Sequence, residues 1–203
     1  MNEVITIGVD LAKNVFQVHG IDASGQVVVR RQLRRRQVLP FFEKQAACVV
    51  GFEACATAHH WAREIAKLGH DVRLMPARYV KPYVKRNKND AADAEAICEA
   101  VTRPTMRFVA VKTEEQQSVL MLHRTRQLFV RQRTTLINAI RAHLAAFGIS
   151  GRAWHSGLAA QFMSLQVEIV AAEKCIHAWH RSSEVSRRLE RIPGALSSSP
   201  PSQ

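Results

Sequence analysis

The 203-residue chain is short of several things, and each shortage excludes a class of protein. It has four cysteines, Cys48, Cys55, Cys98 and Cys175, with no Cys-x-x-Cys pair among them. That argues against a disulfide framework or a zinc ribbon, and for a reducing compartment. No run approaches the roughly 20 apolar residues that cross a bilayer, so no membrane partner is expected. Met1-Asn2-Glu3-Val4 has no basic stretch followed by an apolar one, unlike a signal peptide, and a cytoplasmic location is expected. Carboxylates are scarce, at 17 Asp+Glu against 29 Lys+Arg, for a formal net charge of +12. Such an excess fits a polyanionic partner, because each Lys or Arg meeting a phosphate releases a counterion. Net charge names the partner class and no activity. Apolar residues still make up 47% of the chain, enough for a packed core.

The first third alternates between two periodicities. Val4-Ile5-Thr6-Ile7-Gly8-Val9, Val15-Phe16-Gln17-Val18-His19 and Gln26-Val27-Val28-Val29 read as three strands. Their short spacers favour an antiparallel meander, with Asp22-Ala23-Ser24-Gly25 as a turn. Gln37 to Gln45 reads as a helix with Pro40 in its first turn. Cys48-Val49-Val50-Gly51-Phe52 is apolar throughout, as a strand buried on both faces would be. A helix over Ala58 to Leu68, stopped by Gly69, precedes a fifth strand, Val72-Arg73-Leu74-Met75. Val80 to Asn89 is basic and turn-like, and alanine-rich Asp90 to Val101 is helical. Three strands, helix, strand, helix, strand, helix is the order of the ribonuclease H-like fold. The expected class is α/β, a mixed five-stranded sheet with flanking helices and a long helical arm.

The arm follows from another absence. Thr113 to Phe147 contains no Pro and no Gly. Leu122, Phe129, Leu136, Ile140 and Phe147 share one helical face, with Ile137 and Leu144 beside them. Leu122, Phe129 and Leu136 are heptad-spaced, which suggests coiled-coil-like pairing. Ser164 to Arg191 reads as a second long helix able to pack back on the first. Gly194 to Gln203 has no periodicity and reads as a tail. The expected division is 1–110, 111–191 and 192–203.

Four acids stand out by position. Asp10 ends the first strand and Glu53 the fourth, and Asp90 and Asp93 are three apart at a helix start. In the inferred order the first and fourth strands are parallel neighbours, so the acids converge. Carboxylates gathered there repel unless cations are bound. Two Mg²⁺ ions roughly 4 Å apart would neutralise them and clamp a phosphodiester for in-line attack. Taken singly the acids have plainer readings: Asp10 in a turn, Asp90 as a cap, Asp93 favouring the helix N-terminus.

Gly8-Val9-Asp10-Leu11-Ala12-Lys13, Phe52-Glu53-Ala54-Cys55 and Lys88-Asn89-Asp90-Ala91-Ala92-Asp93-Ala94 resemble, in order, the DEDD motif segments of the IS110 insertion-sequence family of bacterial transposases. Val111 to Gln117 and Leu122-His123-Arg124-Thr125-Arg126 resemble the entry to that family's long helix. The resemblance runs from about Val4 to Gly194. It implies a RuvC-like catalytic domain whose tetrad is Asp10, Glu53, Asp90 and Asp93. It implies Mg²⁺ (or Mn²⁺ in its place), DNA strand cleavage and exchange, a structured guide RNA, and homo-oligomers formed through the long helices. Members continue after an Ile-Pro-Gly segment, here Ile192-Pro193-Gly194, into a domain bearing a nucleophilic serine. This sequence runs instead into Ser197, Ser198 and Ser199, and none is assigned as nucleophile. A truncated copy is expected, its 192–203 tail standing where the serine domain would begin. A non-catalytic RNA- or DNA-binding remnant and a stand-alone RuvC-like junction nuclease are the alternatives.

The basic residues fall in runs. Arg30, Arg31, Arg34, Arg35 and Arg36 crowd the third strand and its exit. Arg73, Arg78, Lys81, Lys85, Arg86 and Lys88 lead to Asp90, interleaved with Tyr79 and Tyr83, which can stack on bases. Arg34, Arg35, Arg36, Arg78, Lys81, Lys85, Arg86 and Lys88, with Arg124 and Arg131 on the long helix, are the nucleic-acid candidates. Arg126 and Arg133 fall nearer the apolar face, where a helix seam would take them. Lys13 suits a surface turn, and His59 and His60 a helix surface. Cys175, His177 and His180 lack a fourth zinc ligand.

Overall fold

The computed structural model describes residues 3–84, 90–148 and 156–190, apart from the side chains at 90, 91, 156 and 157. Two compact units divide at Glu114 and Glu115. In the first, β1 (Thr6–Leu11), β2 (Val15–Ile21), β3 (Val27–Arg34), β4 (Val49–Glu53) and β5 (Asp71–Met75) form one sheet of order β3-β2-β1-β4-β5. β1–β2 and β2–β3 are antiparallel, whereas β1–β4 and β4–β5 are parallel. The turn after β2 is tied by Asp22, whose Oδ1 accepts from the Ser24 and Gln26 amides at 2.9 and 3.0 Å.

The helices are α1 (Val38–Phe42), α2 (Ala58–Lys67), α3 (Ala77–Val80) and α4 (Asp90–Val101). Strand alternation sorts the sheet's two faces. Ile7, Val9, Phe16, Val18, Leu33, Val50 and Phe52 join Val38, Phe42, Trp61 and Ile65 of α1 and α2 in one core. Phe16 meets Trp61 edge to face at 5.2 Å. The opposite face belongs to α4, whose Ala96, Ile97, Ala100 and Val101 pack with Met75 and Val80. This α/β arrangement with its central parallel pair is RuvC-like.

Several boundaries differ from those expected; β1 begins at Thr6 and runs through Asp10 to Leu11, and β2 continues to Ile21. β3 continues through its arginines to Arg34, because an edge strand tolerates charge on both faces. The start of the segment expected as turn-like, Val80 to Asn89, is helical: Val80 ends α3, and Lys81–Tyr83 form a 3₁₀ turn. The second long helix is two helices, α6 (Ser156–Ser182) and α7 (Glu184–Glu190). Ser183 interrupts it by capping α7, its Oγ accepting from the Ser186 amide at 3.3 Å.

In the second unit, α5 (Glu114–Ala146) is a 33-residue helix, followed by Gly148 at φ 68°. α6 runs back along it. Arg126 donates to Glu173 Oε1 from Nε and Nη2, at 2.8 and 2.6 Å, and Arg133 to Gln166 at 2.7 Å. These are the two arginines expected at a seam. Phe147, expected on the apolar face, is 81% exposed. Among the described residues, no helix is long and apolar enough to cross a membrane.

Candidate active site

The geometry of the site starts from two glycines. A Cβ on Gly8 would lie 2.3 Å from both Ala94 O and Cys98 N, and one on Gly51 would lie 2.9 Å from Val101 Cβ. α4 therefore rests directly on β1 and β4, and both glycines face it. Asp10 and Glu53 each follow a glycine by two residues, so alternation points them to the same side. Val9 pairs with Phe52 in register, which leaves Asp10 and Glu53 as the next residues on adjacent parallel strands.

The direction of α4 completes the arrangement. Cys98 Sγ reaches Thr6 O at 3.8 Å, while Ala94 lies over Gly8. Moving toward the C-terminus of β1 therefore means moving toward the N-terminus of α4. Two more strand residues advance about 6.6 Å and one more helical turn about 5.4 Å, so the first turn of α4 stands level with Asp10. That turn carries Asp90 and Asp93. Asp10, Glu53 and Asp93 are all half-buried. Burial, and then the Asp93 carboxylate, pushes the Glu53 carboxyl above its ordinary value. Glu53 thus feels the charge of Asp93.

The side chain of Asp90 lies outside the described residues. Among those described, no three His, Cys, Asp or Glu side chains gather closely enough to hold a metal ion. The acids brought together have hard oxygen donors, and their mutual repulsion is of the kind a divalent cation relieves. They fit a hard divalent cation better than a soft metal.

The basic candidates separate by face. β3 alternates so that Arg30 and Arg34 lie on the α4 side and Arg31 on the other, and Arg30 reaches Glu95 of α4 at 3.5 Å. Arg35 stacks over Trp61 at 5.1 Å. Arg78 lies over Tyr79 at 4.7 Å, and Arg103 over Tyr83 at 5.6 Å. Arg34, Arg35, Arg36, Arg78 and Lys81 are exposed, as are Arg124 and Arg131 of α5. Lys85, Arg86 and Lys88 lie outside the described residues.

Other reactive side chains are built into the fold. Burial pushes the Cys48 thiol up to about 11 and the Cys98 thiol to about 12, so neither is a thiolate nucleophile near neutrality. His59, expected on a helix surface, is buried. Its Nδ1 accepts from the Lys112 amide at 3.1 Å, and Nε2 faces Lys112 Nζ at 3.0 Å. Arg63 donates to Lys112 O at 2.6 Å. The 53 positions between His59 and Lys112 hide this cluster from any spacing argument. The two glycines carried a readable signal, since Gly8-x-Asp10 and Gly51-x-Glu53 repeat one pattern at two strand ends.

A RuvC-like sheet with acids at the ends of its central parallel strands defines the ribonuclease H-like class. Residues 7–149 match the family model of DEDD transposases of the IS110 type, described as a transposase. The chain belongs to this family of insertion-sequence transposases. A Pseudomonas aeruginosa protein carrying a family 20 transposase name is 57% identical over 143 residues, 70% of this chain and 42% of that one. The transposase for insertion sequence element IS1328 of Yersinia enterocolitica is 46% identical over 150 residues, 74% and 45% of the two chains. A Sinorhizobium fredii protein carrying a transposase name, y4pF/y4sB, is 41% identical over 218 residues, 96% and 56% of the two. The chain spans about half the length of these relatives.

Proposed function

We propose that the chain is the metal-dependent phosphodiester-cleaving domain of an insertion-sequence transposase, with Asp10, Glu53, Asp90 and Asp93 as its site. The observation that supports it best is the gathering of Asp10, Glu53 and the first turn of α4 at one end of the sheet, with Glu53 perturbed by Asp93. The carboxylates would hold the cations. A bound Mg²⁺ or Mn²⁺ would supply Lewis-acid stabilisation of the transferring phosphate. The chain's own part is to fix the acids on rigid strands and a close-packed helix, and to offer DNA an array of exposed cations. A structured guide RNA, assembly through the long helices, a cytoplasmic setting and completion by a serine-bearing domain belong to the same proposal.

The test is strand exchange by a longer chain that includes the part of the relatives' length this one does not span. Asp10→Ala or Glu53→Ala should lower Mg²⁺-dependent activity by at least about a hundredfold, since even residues behind the metal ligands cost 10–100-fold. Unchanged activity would sink the tetrad. The exposed arginines at the end of β3 and in the turn after it also fit a second reading, a nucleic-acid-binding module without chemistry. Under it the same variants leave DNA binding intact and no cleavage is found in any form.

A further inference from the structure

A groove where β3 meets α1 is not used by the acidic site. It has a volume of about 370 Å³, within the range of roughly 300–1,000 Å³ typical of ligand clefts. Leu33 and Phe41, both buried, form its floor with Pro40. Exposed Arg31, Arg36 and Lys44 stand around it. Among the described residues no carboxylate lines the groove, and none of the three cations is held in an ion pair. Arg31 pairs with Val18 and Leu33 with Phe16, which sets the groove on the face of α1 and α2. Asp10 and Glu53 lie on the opposite face.

Edge strands often carry arginines simply to repel other strands. That account covers Arg31 alone. Arg36 comes from the turn after β3, and Lys44 from beyond α1. Three cations from separate segments converge on one hollow with a hydrocarbon floor. A sugar–phosphate backbone matches both parts, with phosphates to the cations and sugar to the floor. The apolar floor suits deoxyribose, because a ribose 2′-hydroxyl pressed there would lose its water without a partner.

We infer that this groove grips the backbone of DNA through Arg31, Arg36 and Lys44, on the sheet face turned away from the acidic site. The inference rests on the reading of the chain as a DNA-acting transposase domain. It adds a place where a stretch of DNA that is not being cut is held.

The experiment is anisotropy of a labelled DNA duplex titrated with the full chain across a KCl series, for wild type and the triple variant R31Q/R36Q/K44Q. Each phosphate contact contributes about 0.9 to the log–log salt slope, so losing three should make the slope shallower by about 2 to 3. Affinity should fall roughly tenfold or more at low salt, alike for unrelated sequences. The charge-retaining R31K/R36K variant should keep the wild-type slope, and an unchanged melting temperature shows that each variant folds. A triple variant that binds like wild type overturns the groove while leaving the DNA reading intact. A wild type that binds no duplex at low salt overturns both. An RNA duplex bound more tightly than DNA through the same three residues overturns the assignment to DNA.

Discussion

His59 sits on α2 with both ring nitrogens against donors of Lys112. A proton on Nδ1 would face an amide N–H, and one on Nε2 would face an ammonium group. Burial first, then Lys112 and Arg63, lower the His59 pKa from its ordinary 6.5. A lowered value means that the unfolded chain takes up the proton more readily than the fold does. The stabilising contribution of neutral His59 is therefore present above 6.5 and lost as pH falls through the lowered folded value. The contrast between wild type and H59Q isolates this site from the other histidines. Melting temperatures followed between about pH 8 and pH 5 should fall more steeply for wild type than for H59Q. Parallel curves would show that His59 is not held neutral. Asp10 and Glu53 were legible in the sequence because each stands near the C-terminal end of an apolar strand. His59 was not, because its partner comes from a distant segment and its neighbours in sequence look like an ordinary helix surface.

At the scale of the element, α4 decides whether the acids meet. Its alanines make it a weakly amphipathic helix by sequence, yet small side chains are what allow it to lie on the sheet. Gly8 and Gly51 supply the other half of that close approach. The two sites should not tolerate change equally. A methyl at Gly8 runs into the backbone of Ala94 and Cys98, which cannot rotate away. A methyl at Gly51 would lie 2.9 Å from Val101 Cβ, which no side-chain rotation moves, so α4 must shift there too, but by less than the 2.3 Å approach at Gly8 demands. Gly8→Ala should therefore cost about 1–3 kcal/mol in urea unfolding, the range for overpacking, and Gly51→Ala less. A Gly51→Ala variant that is the less stable of the two would contradict this seating of α4. The strand order and α4 itself were readable from periodicity and turn residues. The full length of β3 was not, since its three arginines resemble a loop until the strand is known to lie at an edge. The break at Ser183 was hidden for a related reason: a serine inside a helical pattern becomes a cap only when its hydroxyl turns onto an amide.

At the scale of the whole molecule, the net charge of +12 hides two opposed arrangements in the first unit. Acids gather at one end of the first unit's sheet, on the α4 face, and cations line a groove on the other face. A positively charged protein would otherwise repel Mg²⁺, so its binding should depend on the acids alone. Glu53 makes the dependence measurable without any assay of activity. Burial and Asp93 raise its carboxyl pKa, so its charge is a cost to the metal-free fold at neutral pH. Glu53→Gln removes that cost, and in chelator the variant should melt at a higher temperature than wild type. With Mg²⁺ at a hundred times its dissociation constant, binding to the folded state adds about 2.7 kcal/mol. At about 2–4 °C per kcal/mol for a chain of this size, wild type should rise by roughly 5–11 °C. E53Q, short of a ligand, should rise little, so that the order of the two proteins reverses. R31Q/R36Q/K44Q should rise as wild type does, because its groove takes no part in holding the cation. A wild type that Mg²⁺ leaves unmoved, or an E53Q that melts below wild type in chelator, would show that these acids are not a destabilised site waiting for a metal.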